Sequence, residues 1–271
     1  MTAEPYPLDP KPGAPTPGPL AGAGILVTRP ARQAGAFAAK VAAIGGVPVV
    51  FPAIAIGPPA DPGPLARAQA ALAGYDLAFF VSANAAEFGA PPVGTWPRHV
   101  AVFAPGPGTA EALAALGIDG VRVPATTFDS AGLLALPELA DVRGKRVAIF
   151  RGETGRDELA AALSARGAVV DHVPCYARLK PAGTRGLDDA FAEGRIDAVT
   201  LTSSEGLDNL WSQVAPATRV RWAAVPTFVP HPRIAQHARD AGLAVIGTAG
   251  GDAGLLAGLL EWAAVARARS N

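Results

Sequence analysis

Short apolar runs alternate with amphipathic stretches along most of the chain. The apolar runs predict strands at residues 25–28, 47–51, 77–81, 100–103, 121–123, 146–150, 169–173, 197–201, 222–225 and 243–247. The amphipathic stretches predict helices, among them residues 31–44, 108–116, 155–166, 232–241 and 252–266. Strands that are apolar throughout and separated by helices form parallel sheets that helices cover on both faces. The pattern therefore predicts an α/β fold.

The second half of the sequence repeats the first. Arg29 aligns with Arg151 and Gly132 with Gly254, at an offset of about 122 residues, whereas solenoid repeats run at 20 to 50 residues. A repeat this long predicts two similar domains, each with a parallel sheet flanked by helices. Two similar domains that face each other would form a cleft between them.

Proline and glycine mark three segments of the chain. Residues 1–23 are rich in both and predict a disordered tail. Residues 51–64 and 173–184 follow equivalent strands in the two copies and run extended into proline and glycine. These two segments predict linkers, at which the chain passes from one domain into the other and later returns.

Composition narrows the class of protein. With 271 residues, 50% hydrophobic and 17% charged, the chain has enough apolar material for two cores. Lys plus Arg and Asp plus Glu both number 23, and this balance without basic runs argues against nucleic acid as a partner. The single cysteine, Cys175, excludes an internal disulfide and suits a reducing compartment. With no 18-residue apolar run and no signal-peptide pattern, we expect a soluble, cytoplasmic protein without a membrane span.

The loops that follow the predicted strands carry hydroxyls, glycines and arginines. Ligands of open parallel sheets bind at the carboxyl ends of the strands, where helix N-termini also attract anions. This set of groups binds carboxylates or phosphates, and it recurs in both halves. The predicted binding residues are Thr28, Arg29, Ser82, Asn84, Gly106, Thr109, Arg151, Gly152, Ser203, Ser204, His231 and Arg233. Helix capping by the hydroxyls and ion pairing by the arginines are the alternatives at these positions.

Familiar catalytic motifs are missing from the sequence. No Walker loop occurs, and no GxSxG motif surrounds Ser82 or Ser203. The stretch 106–111 lacks the third glycine of a dinucleotide fingerprint. The four histidines form no metal-binding pattern, so we expect neither metal nor cofactor. Cys175 stands in an apolar run and is expected to be buried rather than nucleophilic.

Six sequence stretches, in their order along the chain, resemble those of the uroporphyrinogen-III synthase family. They are LVTRPARQAGAFAAKVAAIGGVPVVFPAIAI, FFVSANAAEF, GPGTAEALAALG, GKRVAIFRGETGRDELAAALSARGAVVDHVPCYARL, LTSSEGLDNLW and HPRIAQHARDAG. The resemblance covers residues 24–266. Each motif alone is loose, but their order and spacing are specific.

The resemblance implies a cofactor-free cytoplasmic lyase of tetrapyrrole biosynthesis. The family closes the linear polycarboxylate hydroxymethylbilane into uroporphyrinogen III, losing water and inverting the last pyrrole, ring D. Its fold has two similar α/β domains joined by a two-stranded linker, with the active site in the cleft between them. Here that groups residues 24–53 and 180–271 as one domain and residues 57–173 as the other. Because the cleft is built within one chain, we expect a monomer.

The resemblance also suggests roles for individual residues. Tyr176 matches the family tyrosine proposed to assist departure of the substrate hydroxyl; the alternative is a buried linker aromatic. Thr109 matches a family threonine that faces the cleft, and Ser82 and Ser203 match the serines that follow the paired strands. The second copy of the GPGT loop departs from the family pattern, and His231 and Arg233 are expected to replace its Gly and Thr as carboxylate contacts.

Two other functions fit the sequence. A non-catalytic two-domain receptor for a small polyanion would use the same hinge and the same loops. A nucleotide-dependent α/β enzyme is the third possibility. Formation of uroporphyrin isomer III separates the synthase from the receptor, and failure to bind any nucleotide dismisses the third.

Overall fold

The computed structural model describes residues 18–270, and the chain forms two compact units. The first unit comprises Met1–Ala55 and Leu179–Asn271, and the second comprises Ile56–Arg178. Both are built from parallel strands and helices, which confirms the predicted α/β class.

The strands and helices alternate along the chain. The strands are β1 (Gly24–Val27), β2 (Val47–Val50), β3 (Ala55–Gly57), β4 (Leu77–Phe80), β5 (Ala101–Phe103), β6 (Arg146–Gly152), β7 (Val169–Leu179), β8 (Ala198–Thr200), β9 (Pro226–Val229) and β10 (Ala244–Gly247). The helices are α1 (Ala31–Ala43), α2 (Gly63–Ala70), α3 (Ala83–Gly89), α4 (Pro107–Ala114), α5 (Ser130–Leu134), α6 (Glu158–Ala165), α7 (Arg185–Ala192), α8 (Ser204–Trp211), α9 (Pro216–Ala224), α10 (Pro232–Asp240) and α11 (Gly251–Ser270).

The sheet of the first unit has the order β10-β9-β8-β1-β2, and its neighbouring strands are parallel. Successive side chains of a strand point to opposite faces. Leu26 of β1 therefore joins the core around Trp222, whereas Ile25 and Val27 join the core around Phe37. Both faces of the sheet are covered, as the apolar runs predicted.

The sheet of the second unit has the order β3-β7-β6-β4-β5. Strands β4, β5, β6 and β7 pair in parallel. Phe80 stacks on Phe150 with ring centroids 4.4 Å apart, and Phe79 stacks on Phe103 at 4.9 Å. These two aromatic pairs lie in separate cores, one on each face of the sheet.

Parts of both predicted linkers belong to regular structure. Strand β3 lies within residues 51–64, which end in the first turn of α2. Strand β7 continues to Leu179, well into residues 173–184. The chain passes between the units at residues 55–56 and 178–179.

The boundary of the predicted tail is wrong by several residues. Most of it, residues 1–17, lies outside the described part of the chain. Residues 18–23 are packed: Leu20 is 2% exposed, and its N–H donates to the carbonyl of Ile44 at 3.0 Å. Leu20 contributes its side chain to the Phe37 core, which is why this short segment is ordered.

Two predicted strands are wrong. Residues 222–225 end helix α9, which Pro216 opens, and strand β9 follows them at Pro226–Val229. A short apolar run suits a buried helix as well as a buried strand, so the pattern of hydrophobicity could not separate the two. Residues 121–123 contribute a single bridge, Phe103 to Arg122, beside the edge strand.

Gly132 and Gly254 align in the repeat, and the same steric reason requires a glycine at both positions. A Cβ atom at Gly132 would lie 1.8 Å from the carbonyl oxygen of Thr127, and one at Gly254 would lie 2.0 Å from that of Ala249. Each of these carbonyls belongs to the loop leading into helix α5 or α11. The two copies therefore have the same local backbone at this point. Among residues 18–270, no helix combines the length and apolar character needed to cross a membrane.

Candidate functional site

A cavity of about 260 Å³ lies at the carboxyl end of the second unit's sheet. Hydroxyls and arginines dominate its polar lining, and none of the described residues that line it is Asp or Glu. The lining residues are Val81, Ser82, Ser130, Ile149, Arg151, Gly152, Thr154, Gly155, Arg156, Leu159, Ala160, Tyr176 and Arg178. A cavity with these groups is suited to an anion.

Tyr176 stands at this cavity with its hydroxyl hydrogen-bonded. The Ser82 hydroxyl donates to the Tyr176 hydroxyl at 3.3 Å, while its oxygen accepts the N–H of Ala85 at 3.1 Å. Ser82 thus caps helix α3 and contacts Tyr176 at the same time. Tyr176 is half-buried, so it is not a fully enclosed linker aromatic.

Gly152 makes room for the Tyr176 ring. The register of β6 against β7 shifts between Arg151 and Gly152, and this irregularity places Gly152 opposite Tyr176. A Cβ atom on residue 152 would lie 3.0 Å from Cζ of the ring and 3.2 Å from its hydroxyl oxygen. Gly152 therefore fixes where the tyrosine hydroxyl lies.

Arg151 is a buried cation held by two partners. Its side chain is 10% exposed and forms an ion pair with Asp157. Its Nη1 also donates to Nδ1 of His172 at 3.2 Å. The hydrogen bond from Arg151 lowers the pKa of Asp157, which keeps that carboxylate ionised. The guanidinium is therefore in place before a ligand arrives.

Cys175 lies beneath the same strand ends and is wholly buried. Its thiol donates to the carbonyl of Arg151 at 3.2 Å. Burial raises the pKa of Cys175 to about 12, so the nucleophilic thiolate is scarce at neutral pH.

The remaining predicted residues of the second unit lie at the first turns of α3 and α4, away from the cavity lining. Asn84 is partly buried, Gly106 precedes α4, and Thr109 is 8% exposed in its first turn.

The list of predicted site residues leaves out five polar or glycine residues of this lining. These are Ser130, Thr154, Gly155, Arg156 and Arg178. Arg156 belongs to the arginine-rich loop after β6, so the loop signal could have found it. Ser130 begins helix α5, whose N-cap Asp129 accepts the N–H of Gly132 at 2.9 Å. No long strand precedes Ser130, so the rule of strand ends could not find it.

Among the predicted residues of the first unit, Thr28 connects two strands. It is buried, and its hydroxyl donates to the carbonyl of Thr200 at 2.8 Å. Thr200 in turn donates to the carbonyl of Leu26 at 2.9 Å. These two bonds tie β1 to β8, and they account for the hydroxyl at position 28.

Ser203 and His231 of this group cap helices. Ser203 accepts the N–H of Gly206 at 3.2 Å and caps α8, of which Ser204 is the first residue. Nδ1 of His231 accepts the N–H of Arg233 at 3.2 Å and caps α10.

Arg29 is neutralised within its own unit. Its Nη1 lies 2.6 Å from Oδ1 of Asp252, and its guanidinium lies 4.4 Å from the centre of the Phe37 ring. Lys40 also donates to Asp252 at 2.7 Å. Asp252 thus holds together the loop after β1, helix α1 and helix α11.

Asp252→Asn is expected to lower the free energy of unfolding of the first unit at neutral pH by about 1–2 kcal/mol, because it leaves the largely buried Arg29 unpaired. The hydrogen bond from Lys40, and then Arg29, lowers the pKa of Asp252 from its ordinary 3.8. The ionic contribution is therefore complete above that ordinary value and disappears as the pH falls through the lowered pKa. Urea unfolding from pH 7 to pH 3 measures the difference between the two proteins.

The matched control is Asp141→Asn, which breaks an exposed pair with Arg143. It is expected to leave the urea midpoint unchanged at pH 7. An Asp252→Asn protein as stable as the parent at pH 7 would contradict the structural role given to this pair.

A larger cavity of about 550 Å³ lies at the other end of the second unit's sheet. Its lining includes Trp96, Arg98, His99, Asp119 and Arg122. None of the predicted binding residues lines it, and it lies beside the start of β5 instead of at the carboxyl ends where parallel sheets bind ligands. Among the described residues, no group of three or more His, Cys, Asp or Glu is arranged to hold a metal ion.

Comparison with known proteins gives one consistent family. The family model described as "Uroporphyrinogen-III synthase HemD" matches residues 35–251. The uroporphyrinogen-III synthase of Escherichia coli is 34% identical over 225 residues, which cover 80% of this chain and 91% of that protein. The corresponding protein of Synechococcus elongatus is 34% identical over 217 residues, which cover 76% and 80%.

A solved structure shows the same fold. It is a mutant uroporphyrinogen III synthase from the extreme thermophile Thermus thermophilus, with a TM-score of 0.50 and 22% sequence identity. The match covers 91% of this chain and 99% of that one. On the family match and the identities above, the chain belongs to the uroporphyrinogen-III synthase family.

Proposed function

We propose that this chain catalyses the reaction for which its family is named, as a cofactor-free lyase. It closes hydroxymethylbilane into uroporphyrinogen III, with loss of water and inversion of ring D. Beside the family membership, one observation supports the proposal: the hydrogen-bonded hydroxyl of Tyr176 stands at a cavity whose described lining residues include three arginines and no Asp or Glu.

The reaction requires steering more than activation. The bilane loses its hydroxyl readily and, without an enzyme, closes without inversion. An enzyme must hold the azafulvene so that the substituted carbon of ring D attacks it, forming a spiro intermediate that opens and recloses. Positioning of this kind is worth several kcal/mol, and it needs no strong catalytic motif.

Tyr176 is proposed to assist the first step. The carbon–oxygen bond of the hydroxymethyl group breaks, and the oxygen leaves as water after accepting a proton. Because the Ser82 hydroxyl donates to the Tyr176 oxygen, the Tyr176 proton remains available for the departing hydroxyl. Gly152 supports this arrangement by leaving space for the ring.

The carboxylate side chains of the substrate account for the arginines at the candidate site. Every pyrrole of the bilane carries an acetate and a propionate, and guanidinium groups bind carboxylates in a fixed geometry. In the second unit we assign this role to Arg151, with Ser82, Asn84, Gly106 and Thr109 as further contacts.

In the first unit, the candidates for substrate contact remain the residues that follow β1, β8 and β9. They are Thr28, Arg29, Ser203, Ser204, His231 and Arg233. The internal bonds of Thr28 and Arg29 favour a supporting role for those two. A cytoplasmic location and a monomeric state also stay predictions.

An isomer assay tests the proposal. The purified protein is mixed with enzymatically generated hydroxymethylbilane, and the uroporphyrin isomers are separated after oxidation. We expect isomer III in excess, with water lost faster than in the blank. Isomer I alone, as in the blank, would favour a non-catalytic receptor, and tight binding of a nucleotide would favour the nucleotide-dependent alternative.

A further inference from the structure

The two copies treat their equivalent arginines differently. The offset that aligns Arg29 with Arg151 also aligns Asp252 with Ser130. The local backbone agrees with this alignment, since the glycine two residues after each of them meets the carbonyl of the residue five positions before it. Position 130 of the second unit therefore corresponds to position 252 of the first.

In the first unit, Asp252 occupies the place beside Arg29. Asp252 lies 2.6 Å from Arg29 and 2.7 Å from Lys40, so a carboxylate of the unit itself already bridges these two cations. An incoming carboxylate would have to displace a carboxylate already bound there. The place beside Arg29 is thus already occupied by a carboxylate.

In the second unit a neutral hydroxyl takes the place of the acid. Ser130 lines the cavity together with Arg151, Arg156 and Arg178. Arg151 forms its ion pair with Asp157, whose side chain is 73% exposed and does not line the cavity. Arg156 has no ion-pair partner among the described residues. The described lining of the cavity therefore offers cationic donors and a hydroxyl to an anion and includes no Asp or Glu.

We propose that this cavity binds a carboxylate arm of the bilane and that Ser130 determines this specificity by leaving open the place that Asp252 fills in the first unit. The inference rests on the proposed function and deepens it. It gives the asymmetry between the copies a role, because among the described residues an Asp lies beside the arginine of the first unit and a Ser stands at the corresponding position of the second.

Installing the acid tests the proposal. Ser130→Asp is expected to raise KM for hydroxymethylbilane about tenfold to hundredfold, since it replaces a charge-assisted contact by repulsion. The share of isomer I should rise with it, because substrate that is poorly held closes spontaneously. The midpoint of thermal unfolding should stay unchanged, since the first unit already accommodates Asp beside its arginine.

Two controls separate charge from shape. Ser130→Asn has nearly the size of the aspartate without its charge and is expected to raise KM far less than Ser130→Asp does. Ser164→Asp adds the same charge to an exposed position of α6 and should leave both KM and isomer ratio unchanged. A parental KM in Ser130→Asp, or an equal loss in Ser130→Asn, would overturn the proposal.

A second variant covers the case in which Ser130→Asp fails to fold. Arg156→Gln removes a cation from the cavity without adding an acid and should raise KM and the share of isomer I. Arg98→Gln, which removes an exposed arginine from the larger cavity, is its control. Equal effects of the two variants would overturn the assignment of this cavity.

If the parent protein itself gives no isomer III, the proposed function fails. If the parent gives isomer III and these variants behave as the parent, only the role of the cavity fails.

Discussion

Alanine in place of Trp222 is expected to lower the free energy of unfolding of the first unit by about 3–5 kcal/mol. Trp222 is fully buried and packs between Phe191 and Trp211, with ring centroids 5.9 and 5.6 Å away. Its indole N–H donates to the buried hydroxyl of Thr227 at 3.2 Å. The substitution therefore creates a large cavity and also leaves a buried hydroxyl without its donor.

Val220 provides the matched control in the same helix. It is 72% exposed two residues before Trp222, and Val220→Ala is expected to change stability by less than about 0.5 kcal/mol. Urea unfolding followed by far-ultraviolet circular dichroism measures both, with hydrogen exchange assigning the loss to the first unit. A Trp222→Ala protein within about 1 kcal/mol of the Val220→Ala protein would show that α9 is misplaced.

Tyr176→Phe is expected to lower turnover about a hundredfold, at the lower end of the range for general acid catalysis, because the substrate also loses its hydroxyl unaided. The variant keeps the ring against Gly152 and removes only the oxygen that contacts Ser82. KM should change little, since binding is assigned to the arginines. The share of isomer I should rise, because a larger fraction of the substrate then closes spontaneously.

Tyr75→Phe controls for the loss of a tyrosine hydroxyl in the same unit. Tyr75 is buried and donates to Asp171 at 2.8 Å; its pKa is raised to about 12, chiefly by burial. This hydroxyl lies by the start of β7, whereas Tyr176 lies near its end. Tyr75→Phe is expected to keep parental turnover. If Tyr176→Phe also keeps parental turnover, Tyr176 is a packing residue and has no part in proton transfer.

The periodicity of the sequence was sufficient for the fold class and for most strands. It failed at residues 222–225, because an apolar run of four residues carries no information on whether its neighbours form a helix. The environment of Trp222 comes from Phe191 and Trp211, and such contacts are not encoded locally.

The candidate site was only partly predictable for a related reason. Strand ends are readable from the pattern, so Ser82, Arg151 and Gly152 were found, and the family resemblance supplied Tyr176. Ser130 follows no long strand, and its proposed role is apparent only from the comparison with Asp252. Likewise, the partners of Arg29 and Thr28 lie more than a hundred residues away in sequence, so their pairing could not be read beforehand.

The most direct test of the central claim is the fraction of isomer III as a function of protein concentration at fixed hydroxymethylbilane. Catalysed closure with inversion competes with spontaneous closure, whose rate does not depend on the protein. The proposed synthase activity predicts that isomer III rises from none in the blank to nearly all of the product as protein is added. A product that stays isomer I at every protein concentration would contradict it.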